Sequence, residues 1–245
     1  MRKTMKKILE ENRCQGFGED YTPLYLAEEA RSDGYAARFF DPLEGRMVHT
    51  LSQTETNLYL QIRGDPNVKH IREQYLLKDP FLHEVMRDLG IRNGGRNFTT
   101  DCVVDYKDGT QCAFSVKWKQ ELFDSSSLLY RGREGKYVKL IDHMMVEKTY
   151  WECQGTAFYI VTEEMLNTTF ASNIETLLKV WKETEDPNLD RMTLYLVAHG
   201  VILTDLSETY LDPKKIRKSI SADIPVLYAD CIRSEERRMT WLANV

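Results

Sequence analysis

The spacing of apolar residues alternates between period-two runs and helical periods, and glycine and proline mark the changes. Residues 1–50 are interrupted by Gly16, Gly18, Pro23, Pro42 and Gly45, which predicts an arm and short strands, with residues 37–51 as a hairpin. Ser52 stands where a helix N-cap would, Glu55 follows three residues later, and Leu58, Tyr59 and Ile62 keep helical spacing until Gly64, Asp65 and Pro66. Residues 68–77 read as a strand and 80–91 as a helix ended by glycine. Residues 101–119 give two β-rich runs around Lys107, Asp108 and Gly109, the pattern of a hairpin. Residues 137–154 are helical by period, and residues 156–165 read as a buried strand running into a turn.

Beyond Asn167 the pattern becomes mostly helical. Residues 170–182 and 190–200 have helical spacing on either side of Glu185, Asp186 and Pro187, residues 201–211 suit a strand, and residues 212–220 suit a helix capped by Asp212 with Pro213 in its first position. The change of pattern predicts two domains, 1–164 and 165–245. The first is an α/β domain with helices against a sheet. The second is a small, mostly helical, winged-helix-like unit.

At 245 residues, 42% hydrophobic and 29% charged, the chain has ordinary globular composition and can bury a sizeable core. A net charge of -5 argues against a wholesale nucleic-acid coat, so any DNA contact must be local. The basic clusters are Lys3, Lys6 and Lys7; Arg131, Arg133, Lys136 and Lys139; and Lys214, Lys215, Arg217 and Lys218, each of which also suits a solvated face. Cys14, Cys102, Cys112, Cys153 and Cys231 are odd in number, scattered and without a CxxC pair, and read as reduced thiols rather than a zinc site or disulfide frame. The N-terminus lacks the apolar run of a signal peptide, and no stretch approaches about 20 apolar residues. The expectation is a cytoplasmic protein with no membrane span.

Candidate chemistry centres on the hairpin. A three-residue loop with a glycine bulge places Asp101 on the same sheet face as Ser115 and Lys117, whereas a two-residue loop would pair it with Val116 on the other face. The three-residue form is the expectation. Aspartate is depleted from strand interiors unless exposed or bound to something. Asp105, nearer the turn, reads as solvated. Each residue also has a plain structural reading: Glu55 completes a capping box, and Lys117 protects a sheet edge. Together, two carboxylates and one amine suit a divalent cation and a water aimed at a phosphate, as metal-assisted phosphodiester hydrolysis requires.

The segments LSQTE at 51–55, NVKHIREQYLL at 67–77, TTDCVVDYKDG at 99–109, AFSVK at 113–117 and EKTYWECQGTAFYIVTEE at 147–164 occur in an order that resembles the PD-(D/E)xK nuclease superfamily. Within it they resemble the TnsA endonuclease subunits of heteromeric, Tn-seven-type transposases. The resemblance covers roughly the first two thirds of the chain. It implies a restriction-endonuclease-like central mixed sheet flanked by helices, with Glu55, Asp101 and Lys117 as the catalytic acid, acid and lysine. Ser115 takes a position where the family often carries glutamine. A serine hydroxyl is a weaker and shorter metal ligand, so the implied Mg²⁺ site (Mn²⁺ as substitute, one or two ions) draws on Glu55 and Asp101, Ser115 and the Val116 carbonyl. Glu73 and Glu147 fall in family-like segments and suit either a salt bridge or a supporting role. The resemblance further implies nicking of the 5′ ends of a transposon, with DNA ends, a TnsB-like transposase subunit and a TnsC-like AAA+ regulator as partners. Two other readings use the same residues: a non-catalytic module that only docks the transposase and regulator, and a stand-alone resolvase or restriction-type nuclease that cuts without partners.

Overall fold

The computed structural model describes residues 8, 10–29, 35–78, 80–91, 97–123 and 140–242, and the chain divides into two compact units, Met1–Leu166 and Asn167–Val245. The first two basic clusters, at residues 3–7 and 131–139, lie outside the described residues. The five cysteines are free, and among the described residues no helix is long and apolar enough to cross a membrane.

In the first unit two short 3-10 turns, Gly18–Asp20 and Ala27–Glu29, precede an antiparallel hairpin, β1 (Ala37–Asp41) and β2 (Arg46–Thr50), as expected for residues 37–51. Helix α1 (Gln53–Arg63) follows, capped by the Ser52 hydroxyl, which accepts the Glu55 N–H at 3.2 Å. Strand β3 (Val68–Leu76), helix α2 (Phe81–Asp88) and the hairpin β4 (Thr99–Tyr106) and β5 (Gln111–Val116) come next, then α3 (Lys119–Phe123), α4 (Leu140–Glu152) and β6 (Ala157–Val161).

The four strands β3, β4, β5 and β6 form one mixed sheet in that spatial order. The first three are antiparallel neighbours, and β6 lies parallel to β5, a pairing that needs the crossover α4 supplies. Cys102, Val103 and Val104 are all buried because β4 is covered on both faces. Val103 and Ala113 pack with Val146, Tyr150 and Trp151 of α4 and Leu82, Val85 and Met86 of α2. Cys102, Val104 and Ile71 pack with Leu58 and Tyr59 of α1 and Val48 of β2. The result is a mixed α/β layer structure. Residues 157–161 are not a buried strand, since β6 closes the sheet as an edge and its residues are half-buried or exposed.

The second unit contains α5 (Thr168–Lys179), α6 (Leu189–Ala198), α7 (Pro213–Ser219) and α8 (Ile224–Leu242). Asn167, Asn188 and Asp212 cap the first three, and Pro213 sits in the first turn of α7 as its fixed φ allows. Helix α8, the longest, has no counterpart in the sequence reading. Residues 201–211 are not a strand, and among the described residues this unit has none. The reason is a contact remote in sequence: buried Asn173 donates to the carbonyls of Leu206 and Thr209 at 2.8 Å each and accepts the Leu211 N–H at 2.9 Å. One amide side chain thereby satisfies backbone groups that a strand would have paired along a ladder.

Candidate active site

The hairpin register brings the polar residues together. Strands β4 and β5 pair as Cys102–Phe114, Val103–Ala113, Val104–Cys112 and Asp105–Gln111, leaving a three-residue loop of Lys107, Asp108 and Gly109 inside the Tyr106–Thr110 closure. Gly109 takes φ +87°, the left-handed conformation the bulged turn requires. One further step of this register sets Asp101 across from Ser115, on the same side as Lys117, as the three-residue loop predicts.

The paired ladder stops at Cys102–Phe114, and beyond it side chains take over. The Val116 N–H donates to Asp101 Oδ2 at 2.7 Å, and the Ser115 hydroxyl lies 3.3 Å from the same oxygen. Lys117 is fixed on its other side by backbone, its N–H donating to the Val161 carbonyl of β6 at 3.0 Å. Its amine donates to Ser115 Oγ at 2.7 Å and to the Val116 carbonyl at 2.8 Å, and stands 3.5 Å from Asp101 Oδ2. Burial works against the ammonium, but the charges of Asp101, Glu147 and Glu55 outweigh it and raise the Lys117 pKa above its ordinary value. The amine is therefore a cation at neutral pH.

Glu55 enters from the first turn of α1. Its carboxylate does more than cap the helix: Oε1 accepts from the Ser52 hydroxyl at 3.0 Å, while Oε2 accepts the Leu51 N–H at 3.0 Å and Gln74 Nε2 at 2.9 Å. Its pKa is pushed up to about 7, first by burial and then by the negative charge of Asp101, against those hydrogen bonds. Two acids within electrostatic reach of each other, one of them poorly solvated, give the site more negative than positive charge even with the Lys117 amine beside them. Hard oxygens from Glu55, Asp101 and the Val116 carbonyl suit Mg²⁺ or Mn²⁺ by type. Among the described residues no group of three or more His, Cys, Asp and Glu side chains is placed to hold a metal ion. An ion here would draw on two carboxylates supplemented by main-chain oxygen and water.

By sequence Glu73 and Glu147 each suit a salt bridge or a supporting role, and the structure separates them. Glu73 is a structural partner, bonded by Arg46 through both carboxylate oxygens at 2.7 and 2.6 Å and by the His49 N–H at 3.1 Å. Fully buried Glu147 of α4 instead lies behind the site. It accepts from Thr100 Oγ1 at 3.1 Å, stands 3.3 Å from Ser115 Oγ and pairs with His143 at 2.8 Å. Asp105 is not simply solvated: it pairs with Arg72 at 2.9 Å and accepts from Gln111 at 2.7 Å. In the second unit, Arg217 is engaged by Asp190 at 2.6 Å, while Lys214, Lys215 and Lys218 are exposed.

Residues 65–163, which carry Asp101, Ser115, Val116 and Lys117, match the family described as TnsA-like endonuclease N terminal. The chain is also similar to transposon Tn7 transposition protein TnsA of Escherichia coli, with 30% identity over 182 residues. That match covers 71% of this chain and 62% of the relative's length.

Proposed function

We propose that the protein is a Mg²⁺-dependent DNA endonuclease of a transposase complex, a reading supported by the match of residues 65–163 to the TnsA-like endonuclease N-terminal family and by the similarity to Tn7 TnsA. It hydrolyses phosphodiesters at the 5′ ends of a transposon. The observation that carries this reading is the meeting of Asp101, Ser115, the Val116 backbone and Lys117 within hydrogen-bond or ion-pair distance, with the Asp101 charge acting on Glu55.

Glu55, Asp101 and the Val116 carbonyl would hold the ion, with Ser115 Oγ beside them. A divalent cation bound there supplies polarisation of the phosphate and a lower pKa for its water. Lys117 contributes a fixed positive charge. With its pKa raised, the amine orients water and stabilises developing negative charge rather than removing a proton. Glu147 holds the Ser115 hydroxyl from behind, and Ser115 in turn accepts from the amine, so the lysine is anchored on both the strand and helix sides.

The proposed partners are those the family resemblance implies: transposon-end DNA, a TnsB-like transposase subunit that acts on the 3′ ends, and a TnsC-like AAA+ regulator. The helical second unit is the proposed interaction module. Its winged-helix character rests on the family resemblance, with Lys214, Lys215 and Lys218 as its exposed cations.

The test is cleavage of end-labelled transposon DNA in Mg²⁺ with the partner transposase present. Metal-dependent 5′-end nicking that Asp101→Ala removes is the expected result. Full nicking by Asp101→Ala would refute the proposal, and cutting of supercoiled or branched DNA by the purified chain alone would favour a stand-alone nuclease.

A further inference from the structure

Gln74 has a backbone φ of +49° in the middle of β3. For a residue with a Cβ this left-handed conformation is strained and persists only where the surroundings enforce it. The β3–β4 ladder keeps one register from His70–Asp105 to Leu76–Thr99, and the pair it skips is Gln74 with Asp101. The Gln74 carbonyl instead accepts from the Leu24 N–H at 3.3 Å and the Cys14 thiol at 3.6 Å, while the Tyr21 hydroxyl bonds the adjacent Glu73 carbonyl at 2.7 Å. Three contacts from the N-terminal segment thus grip the distorted backbone.

The side chain shows what the distortion achieves. Gln74 is 3% exposed, and its Nε2 donates to Glu55 Oε2 at 2.9 Å. We infer that Gln74 is a positioning residue, which fixes the Glu55 carboxylate beside Asp101 through this bond; the inference rests on the nuclease reading above. The choice of an amide is chemically specific. A lysine at this place would orient the carboxylate but cancel the charge that attracts a cation. An amide N–H orients the carboxylate and leaves its charge intact.

The test uses the full chain and two variants, Gln74→Gly and Gln74→Asn. Glycine adopts φ +49° without strain and has no amide; asparagine tolerates that φ but its amide is one methylene short. Thermal melts, Mn²⁺ titration by calorimetry and metal-dependent DNA cutting are measured together. The inference predicts that Gln74→Gly melts at or above the parent temperature while Mn²⁺ affinity and cutting each fall about tenfold or more, with the same functional losses in Gln74→Asn. It is overturned if both variants bind Mn²⁺ and cut within twofold of the parent, or if function falls only in step with a lowered melting temperature. A parent that neither binds Mn²⁺ nor cuts, or a Glu55→Ala variant that cuts normally, removes the nuclease reading and this inference with it. An active parent, an inactive Glu55→Ala and unchanged Gln74 variants remove this inference alone.

Discussion

The Val116 N–H donates to Asp101 Oδ2 at 2.7 Å just past Cys102–Phe114, the last pair of the β4–β5 ladder. A carboxylate has taken a bond that a strand carbonyl would otherwise supply, and the exchange places an acid where the two strands diverge. The Val116 carbonyl, on the same residue, already attracts the Lys117 amine at 2.8 Å. Acid, carbonyl and amine are thereby fixed by one short stretch of backbone, which makes their separation insensitive to side-chain motion elsewhere.

Lys117→Met tests the fixed charge. The amine is buried with Asp101, Glu147 and Glu55 around it, so its loss leaves carboxylates facing each other without a cation. Cutting is expected to fall by at least about a hundredfold, beyond the 10–100-fold typical of supporting residues. Stability should fall by about 3 kcal/mol, as when one partner of a buried pair is removed. Chemical denaturation at neutral pH checks the second figure, and added Mg²⁺ should restore part of the lost stability.

Glu55→Gln should separate stability from activity through pH. The folded-state pKa of Glu55 is raised to about 7 from 4.5, so between those values the folded protein binds a proton that the unfolded chain has released. Stability contributed at this site therefore falls as pH rises from 4.5 through 7. Glutamine cannot ionise; its oxygen can face Leu51 and Gln74 and its NH₂ can donate to the Ser52 hydroxyl. In EDTA the variant is expected to melt higher than the parent at pH 8 and alongside it at pH 4.5, while losing metal-dependent cutting. Equal melting differences at both pH values would contradict the assignment.

How much of this arrangement is legible in the sequence depends on the range of the forces involved. The capped start of α1 at Ser52, the three-residue Lys107–Gly109 loop and hence the Asp101–Ser115 register are local, and turn chemistry fixes them. The exposure of β6 is set by its place at the sheet edge, which apolar content alone does not encode. Residues 201–211 have strand-like composition, but Asn173, some thirty residues earlier, holds them irregular. Gln74 gives no signal: a positive φ within a β-rich run arises from contacts with Cys14, Tyr21 and Leu24, remote in the chain.

Glu73 and Glu147 look alike in sequence, and their variants should behave differently. Glu73→Ala leaves Arg46 buried and unpaired, with an expected loss of about 3–5 kcal/mol. Glu147→Gln keeps an oxygen for Thr100 while removing a charge near Lys117, so its fold should persist and cutting should fall about tenfold. Denaturation and cleavage assays run in parallel on both variants check the contrast.

The most direct measurement is the anomalous signal of a crystal soaked in Mn²⁺. Density is expected where the carboxylates of Glu55 and Asp101 and the Val116 carbonyl coordinate the ion, adjacent to the Lys117 amine, and it is expected to be lost in Asp101→Asn. Saturating Mn²⁺ that leaves this pocket without density, or that binds only at sites remote from Asp101, would contradict this expectation.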